Sequence, residues 1–246
     1  MFDCAAWSTP NRHPLRQDVL WRLERTPRGP LLIELAPGLI HYPGYLDAAG
    51  QAALAADLAR VLARAPAFTP TMPRTGKPFS VRMTNCGRLG WVSDQAGYRY
   101  QPAHPGTGAP WPPIPPALLA AWSDLAAYPD PPEACLVNLY APGARMGLHQ
   151  DRDEDALDAP VLSLSLGATA LFRHGGPRRG DPTRSLRLRS GDALVIGGAS
   201  RLIFHGVDRI VPEPPDLLGA PPLPEPVPPG GRVNLTLRRV TLSGRA

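Results

Sequence analysis

The chain has 246 residues, a formal net charge of +5 and 19% charged side chains. A chain of this length can bury a large core, and mainly β chains of this size often form one domain, so we expect one structural unit. No apolar stretch reaches the ~18 residues of a membrane-spanning helix, and no signal-peptide pattern is present, so we predict a cytoplasmic protein without a membrane partner. The basic excess favours a polyanionic partner, although an ordinary basic soluble protein fits this charge equally well.

The cysteines argue against a disulfide framework. Cys4, Cys86 and Cys135 are odd in number and widely spaced, and they form no CxxC pair. This pattern also lacks the paired spacing of a zinc knuckle, and it favours a reducing compartment.

The first half of the chain predicts two helices between irregular segments. We predict that residues 1–30 form an irregular lead-in and that residues 31–133 form an N-terminal extension. Within this extension, residues 47–65 are rich in alanine and have apolar residues at helical spacing, and Asp47 is placed to cap this helix. Residues 115–128 predict a second helix, which begins with prolines that suit a first turn.

The second half predicts a β fold. From residue 134 to residue 246, short β-rich runs alternate with glycine-bearing turns, which is typical of a sandwich or jelly roll. Proline is abundant, with 33 residues, and it clusters at 101–116 and 211–231, which we interpret as loops or extended linkers. The predicted fold is therefore mainly β, with flanking helices.

The stretch LHQDRDE, residues 148–154, is unusually polar for this chain. If it is an extended strand, His149, Asp151 and Asp153 share one face, while Gln150, Arg152 and Glu154 share the other. A neutral imidazole beside a carboxylate forms part of a site for an ion such as iron(II). A solvated acidic loop with an incidental histidine is the alternative, because a pattern of three residues is weak.

A further histidine completes a candidate metal site. His205 follows an apolar strand in RLIFHGV, and antiparallel strands of a jelly roll can bring it beside His149 and Asp151. Two histidines and one carboxylate leave three positions open on octahedral iron, enough for a bidentate cosubstrate and dioxygen. A zinc hydrolase needs one open position. Taken alone, His205 would more often be a structural histidine, because a single residue is a weak signal.

The stretch RVNLTLR predicts a strand with one polar face. Strict alternation places Arg232, Asn234, Thr236 and Arg238 on one side and the valine and leucines on the other. Two arginines that face the inside of a barrel need an anionic partner, and a dicarboxylate supplies it. An exposed edge strand protected by arginine is the alternative. Asn138 and Tyr140, in the run NLY, also share a face.

Taken together, several motifs resemble the AlkB family of iron- and 2-oxoglutarate-dependent nucleic-acid dealkylases. They run in order from about residue 79 to 239 and are MTNCGRLGW, CLVNLYAPGARMGLHQDRDE, VLSLSLG, FRHGG, RRGDP, IFHG and RVNLTLR. The resemblance implies a double-stranded β-helix (jelly roll) core with an N-terminal nucleotide-recognition lid in residues 31–133. It also implies iron(II), 2-oxoglutarate and dioxygen as cofactor and cosubstrates, and oxidation of N-methyl groups on bases such as 1-methyladenine and 3-methylcytosine.

The resemblance also assigns individual residues. The iron ligands, which are the catalytic set, would be His149, Asp151 and His205. The 2-oxoglutarate pocket would comprise Asn138, Tyr140, Arg232, Asn234 and Arg238, with Arg232 at the distal carboxylate and Arg238 with Asn138 at the end that chelates iron. The substrate contacts would be Trp91, Tyr98, Tyr100, Asp153 and Arg179, with Trp91 stacked on the damaged base opposite His149. A core or lid-packing tryptophan and a solvated turn are the ordinary alternatives for Trp91 and Arg179.

The implied reaction needs no protein nucleophile. Decarboxylation of 2-oxoglutarate to succinate drives hydroxylation of the methyl carbon, and the product collapses to formaldehyde and the repaired base. The expected partner is nucleic acid with a flipped or single-stranded alkylated base, and the expected state is a monomer. Two other hypotheses are a 2-oxoglutarate-dependent oxygenase acting on a protein or small molecule, and a metal-free nucleic-acid-binding module.

Overall fold

The structure, a computed structural model, describes residues 31–211 and 222–242. The predicted lead-in at residues 1–30 and residues 212–221 of the second proline-rich stretch lie outside the described residues. No helix in the described ranges is both long enough and apolar enough to span a membrane.

Thirteen strands and two α-helices make up the described part of the chain. In chain order they are β1 (Ile33–Ala36), β2 (Leu39–Tyr42), α1 (Ala48–Arg64), β3 (Arg82–Gly87), β4 (Gly90–Asp94), β5 (Gly97–Gln101), α2 (Pro116–Leu125), β6 (Ala134–Tyr140), β7 (Met146–His149), β8 (Val161–Gly167), β9 (Ala170–His174), β10 (Arg184–Leu188), β11 (Ala193–Ile196), β12 (His205–Ile210) and β13 (Arg232–Arg238).

The strands form two main sheets and a separate hairpin. The major sheet has the order β1-β2-β11-β8-β13-β6-β3, the minor sheet has the order β10-β9-β12-β7, and β4 pairs with β5. This mainly β arrangement with two helices confirms the predicted jelly-roll core. Strands β1, β2 and β3 precede residue 134 but belong to the major sheet, and the division of the chain at that residue stays a prediction.

Both predicted helices are present. The Asp47 carboxylate accepts a hydrogen bond from the Gly50 backbone N–H at 2.7 Å, which caps α1 as predicted. Helix α2 begins at Pro116, because a first-turn residue needs no backbone donor, and ends at Leu125. The apolar faces of both helices share one core cluster with the apolar residues of β6, β8 and β13.

Strand β13 has the predicted alternation. Val233, Leu235 and Leu237 are fully buried in the cluster that contains the helices. The intervening residues therefore project to the opposite side of the sheet, where a second apolar cluster joins residues of the major sheet to residues of the minor sheet. In the antiparallel register, Arg232 lies opposite Tyr140, and Asn234 lies opposite Asn138. These four polar residues consequently share one patch between the sheets.

Candidate iron and 2-oxoglutarate site

The three predicted metal ligands lie together between β7, β12 and the loop that follows β7. His205 pairs directly with His149 in the antiparallel register of the two strands. One ligand atom from each of His149, Asp151 and His205 lies within 4.8 Å of the other two. The Asp151 carboxylate is 3.6 Å from the Nε2 atom of each histidine. Atoms that bind one metal ion at about 2 Å lie about 3–4 Å apart, so the spacing fits an ion.

The tautomers of both histidines also fit a metal. The Nδ1 atom of His149 is 2.9 Å from the carbonyl oxygen of Gly147, and that of His205 is 3.1 Å from the carbonyl oxygen of Ile203. A carbonyl only accepts, so each Nδ1 carries a proton, and each Nε2, on the side of Asp151, is the atom placed to bind a metal. This backbone contact is the usual way in which proteins orient a metal-binding imidazole.

Electrostatics favours the metal-binding protonation states of His149 and Asp151. Desolvation by the surrounding protein and the nearby His205 ring lower the pKa of His149, which favours the neutral imidazole. Burial alone would raise the pKa of Asp151, but the Arg238 guanidinium and then His205 hold it well below its usual range. The carboxylate is therefore ionised at neutral pH. Two histidines and one carboxylate are a donor set that suits iron(II) with open positions.

Gly206 permits the close approach of β12 to β7. A Cβ atom at this position would lie 2.5 Å from the carbonyl oxygen of Met146 and 2.8 Å from that of Gly147. Any side chain would therefore displace the backbone beside His205. The glycine in the IFHG motif is required by this packing and not by an unusual turn.

All five residues predicted to bind 2-oxoglutarate line the same cavity as the metal ligands. They are Asn138, Tyr140, Arg232, Asn234 and Arg238. Apolar residues from both sheets complete the lining, so the cavity is enclosed by the jelly roll. The structure brings these groups together, and their individual contacts with the cosubstrate stay predictions.

Arg232 is a buried cation that lacks a full set of partners. It is 1% exposed, and its hydrogen bonds to described residues all go to neutral acceptors, namely the carbonyl oxygens of Ala168 and Leu188 and the hydroxyl of Ser165. Its Nε atom has no hydrogen-bond partner among the described residues. Burial lowers the pKa of Arg232 to about 10, so the guanidinium is still charged at neutral pH. A buried positive charge of this kind fits the carboxylate of a ligand.

At the other end of β13, Arg238 faces the iron site. Its guanidinium lies 2.9 Å from Asp151 and 2.8 Å from Glu154. The Nε atom of Arg238 and the Oδ1 atom of Asn138 are buried and have no partner within the described chain. These unused groups provide a donor and an acceptor near the metal. The Arg238 donor suits the acceptor oxygens at the chelating end of 2-oxoglutarate, and the contacts of Arg238 and Asn138 with that end stay predictions.

The predicted base-stacking residue lies on the β4–β5 hairpin. The Trp91 ring is 9% exposed and stacks on Tyr98 with a centroid distance of 5.6 Å and an interplanar angle of 19°. Its indole N–H donates to Asp153 at 2.9 Å. Trp91 thus contacts two other predicted substrate residues, Tyr98 and Asp153. One face of Trp91 is covered by Tyr98, and its contact with a base stays a prediction.

The other two predicted substrate residues make internal contacts. The Tyr100 hydroxyl donates to Glu154 at 2.5 Å and accepts from Arg238 at 3.1 Å. Arg179 is exposed, and its guanidinium lies 4.9 Å from the centre of the Phe204 ring, next to a metal ligand. Tyr100 therefore connects the hairpin to the iron site, and Arg179 packs over Phe204, the residue that precedes His205.

Two buried residues at the site were missed by the sequence analysis. The strand that carries His149 ends there, so the predicted alternation does not continue through residue 154. Glu154 is consequently buried, although the alternation placed it on the face opposite Asp151. Arg201 is also buried and pairs with Glu154 at 3.1 Å. A buried glutamate needs a cationic partner, but no local pattern links Glu154 to Arg201, which lies 47 residues further along the chain.

The jelly roll, the histidine–carboxylate triad and the buried Arg232, whose hydrogen bonds to described residues go only to neutral acceptors, define an iron(II)- and 2-oxoglutarate-dependent dioxygenase. A family model described as the 2OG-Fe(II) oxygenase superfamily matches residues 38–238. An AlkB homolog of Caulobacter vibrioides, named an alpha-ketoglutarate-dependent dioxygenase, is 54% identical over 207 residues, which cover 84% of this chain and 90% of that protein. AlkB of Escherichia coli is 46% identical over 158 residues, which cover 63% of this chain and 73% of that protein. The chain belongs to the AlkB family of dioxygenases.

Two further similarities agree with this assignment. The solved structure of OsALKBH1 has 33% sequence identity and a TM-score of 0.69, and the match covers 85% of this chain and 100% of that chain. An Arabidopsis thaliana protein named DNA N(6)-methyladenine demethylase ALKBH1D is 43% identical over 113 residues, which cover 44% of this chain and 24% of that protein.

Proposed function

We propose that the protein removes alkyl groups oxidatively from N-alkylated nucleobases of the 1-methyladenine and 3-methylcytosine type in DNA or RNA. The observation that carries this proposal is a trough of about 690 Å³ beside the iron cavity. Met146 lines both spaces, so the trough adjoins the cavity that contains the metal ligands. Membership of the AlkB family and a relative named as a DNA demethylase support the same substrate class.

The lining of the trough has the chemistry of a nucleic-acid site. It contains three exposed cations, Arg74, Lys77 and Arg145, and two aromatic residues, Phe79 and Tyr98. None of the described residues that line it is acidic. Cations that follow a phosphate backbone and rings that stack on bases are the usual elements of single-strand recognition. A protein or small-molecule substrate requires neither element.

The reacting base leaves its stack to reach the iron. Stacking on an aromatic ring replaces the interaction that the base loses, which is worth about 1–3 kcal/mol. Trp91 supplies that ring after Tyr98 moves aside. Asp153, which is exposed and bonded to the Trp91 indole, accepts from an exocyclic amine and favours a cationic alkylated base.

The protein contributes positioning and electrostatics to the reaction. When bound, iron with 2-oxoglutarate and dioxygen supplies the oxidation of the N-alkyl carbon, which gives succinate and carbon dioxide. His149, Asp151 and His205 hold the metal, and Arg232 and Arg238 orient the cosubstrate. A hydroxylated methyl group then leaves the base as formaldehyde, with its hydroxyl proton returning to the base nitrogen, and no side chain has to act as a nucleophile.

The test combines the purified protein with iron(II), ascorbate, 2-oxoglutarate and an oligonucleotide containing one 1-methyladenine. We expect formaldehyde, succinate and a product that has lost the mass of one methylene group. An unmethylated oligonucleotide of the same sequence is the matched control. Succinate production without demethylation of 1-methyladenine or 3-methylcytosine would contradict the proposal and favour an oxygenase acting on a protein or a small molecule.

We also propose that the active form is a monomer, because one chain supplies every group of the iron cavity. Light scattering coupled to size-exclusion chromatography tests this. A mass of twice the chain at assay concentrations would contradict it.

A further inference from the structure

Glu154 is the centre of a buried hydrogen-bond network beside the iron site. Its side chain is 0% exposed. One carboxylate oxygen accepts from the Tyr100 hydroxyl at 2.5 Å and from Arg238 at 2.8 Å. The other accepts from Arg201 at 3.1 Å. A single carboxylate thus contacts the β4–β5 hairpin, strand β13, which carries the predicted 2-oxoglutarate-binding arginines, and the segment that precedes His205.

Arg201 holds the loop that carries the metal-binding carboxylate. Its guanidinium donates to the backbone carbonyl of Asp151 at 2.5 Å and to that of Ala159 at 2.7 Å, besides pairing with Glu154. The residue is 4% exposed. These contacts fix the beginning, the middle and the end of the stretch between β7 and β8, which has no regular secondary structure of its own to fix it. The direction of the Asp151 side chain therefore depends on Arg201.

The charges of this network balance without a ligand. Asp151 and Glu154 carry two negative charges, and Arg201 and Arg238 carry two positive charges, all at buried positions. Removal of one member leaves a buried charge without compensation, which is unfavourable. A lost negative charge also leaves net positive charge next to the site of a divalent cation, which weakens binding of that cation.

We propose that Glu154 and Arg201 are positioning residues of the iron site. They orient the Asp151 carboxylate towards the metal and the Arg238 guanidinium towards Asp151 and the cosubstrate, and through Tyr100 they fix both to strand β5. Neither residue lines the iron cavity, so they act through Asp151 and Arg238. The proposal depends on the iron and 2-oxoglutarate chemistry of the family and is independent of the nucleobase substrate.

The variant Glu154→Gln tests the proposal. It retains the shape of the side chain but removes its charge. We expect the affinity for Mn(II), used as a redox-inert probe and measured by titration calorimetry, to fall about 10–100-fold, the range for groups that orient metal ligands. We also expect a higher KM for 2-oxoglutarate. Both measurements omit nucleic acid, so they succeed or fail independently of the proposed dealkylation.

Glu133→Gln is the matched control. Glu133 is a second buried glutamate, and it accepts hydrogen bonds from Arg88, from Thr241 and from the backbone N–H of Val240, but it does not line the iron cavity. We expect this variant to lose thermal stability while its Mn(II) affinity stays unchanged. If Glu154→Gln bound Mn(II) as the unmodified protein does, or lost no more affinity than Glu133→Gln, the proposal would be overturned.

Tyr100→Phe keeps the proposal testable if Glu154→Gln fails to fold. This variant removes only the hydroxyl that joins Glu154 and Arg238. We expect the KM for 2-oxoglutarate to rise about 3–10-fold, the effect of losing one ordinary hydrogen bond, because the Tyr100 hydroxyl acts on the cosubstrate only through Arg238, with a smaller change in Mn(II) affinity. An unchanged KM in folded Tyr100→Phe would contradict the role of the network in orienting Arg238.

Discussion

The iron cavity and the neighbouring trough differ in how firmly their side chains are held. In the cavity, Arg232 and Arg238 are buried and each makes several hydrogen bonds to described residues. In the trough, Arg74, Lys77 and Arg145 are exposed. The cavity is therefore shaped before a ligand arrives, whereas the basic side chains of the trough can adapt to the chain that they bind.

This difference separates the chemistry from the choice of substrate. A metal and a small dicarboxylate require fixed geometry, which buried and hydrogen-bonded groups provide. A nucleic-acid strand requires attraction and stacking, which exposed cations and rings provide. Changes in the cavity should consequently remove activity on every substrate, and changes in the trough should alter the preference among substrates.

The largest effect is expected from loss of a metal ligand. His149→Ala or Asp151→Ala should reduce turnover to the background level, because two remaining ligands do not hold iron in a reactive geometry. Formaldehyde release with metal content controlled is the measurement, and circular dichroism should show an intact fold. Arg152→Ala, in the same polar stretch but exposed, is the control and should retain metal binding. Turnover in either ligand variant would refute the metal assignment.

Next in size is removal of the buried guanidinium that we assign to the distal carboxylate. Arg232→Met should raise the KM for 2-oxoglutarate about 10–100-fold, the expected effect of losing a charge-assisted pair. The rise in Tm that 2-oxoglutarate causes in the unmodified protein should disappear, because ligand binding no longer stabilises the native state. A variant that is still stabilised by 2-oxoglutarate would show that the distal carboxylate binds elsewhere.

A smaller effect is expected at the hairpin. Trp91→Ala should lower kcat/KM for a methylated oligonucleotide about tenfold, since a base–aromatic stack contributes about 1–3 kcal/mol. Consumption of 2-oxoglutarate in the absence of nucleic acid should change less. Equal losses in the two assays would mean that Trp91 acts only in packing the hairpin.

The smallest effect belongs to the trough. Single changes of Arg74, Lys77 or Arg145 to glutamine should each weaken binding of a single strand a few-fold and reduce the salt dependence of log K by about 0.7, the value for one phosphate contact. Fluorescence anisotropy at several salt concentrations measures both. Glutamine in place of the exposed Arg60 on α1, which is not among the residues lining the trough, is the control. If the salt dependence of log K were unchanged in all three variants, the nucleic acid would bind outside the trough.

The sequence was sufficient to predict the fold and the site wherever a local pattern of residues decides the structure. Alternation in RVNLTLR predicted which face of β13 is polar, and the cap by Asp47 predicted the start of α1. The spacing of His149 and Asp151, together with a distant His205, predicted the metal cluster. In each of these cases, the structure follows directly from side-chain periodicity or from the spacing of residues in a short motif.

The sequence was insufficient where distant contacts decide the structure. The burial of Glu154 depends on where β7 ends and on Arg201, which lies far along the chain. The stacking of Trp91 on Tyr98 depends on the register of the β4–β5 hairpin. Part of the second proline-rich stretch also differs from a simple linker, because Val227 is buried in the core cluster beside the helices. No local pattern encodes these pairings.

The central claim is that one iron ion and one 2-oxoglutarate molecule occupy the cavity between the two sheets. An anaerobic crystal structure with Mn(II) and 2-oxoglutarate tests this most directly. We expect a single metal bound by the Nε2 atoms of His149 and His205 and by the Asp151 carboxylate, with the distal carboxylate of 2-oxoglutarate on Arg232. A metal bound at other residues, or a cosubstrate that does not contact Arg232, would contradict the account.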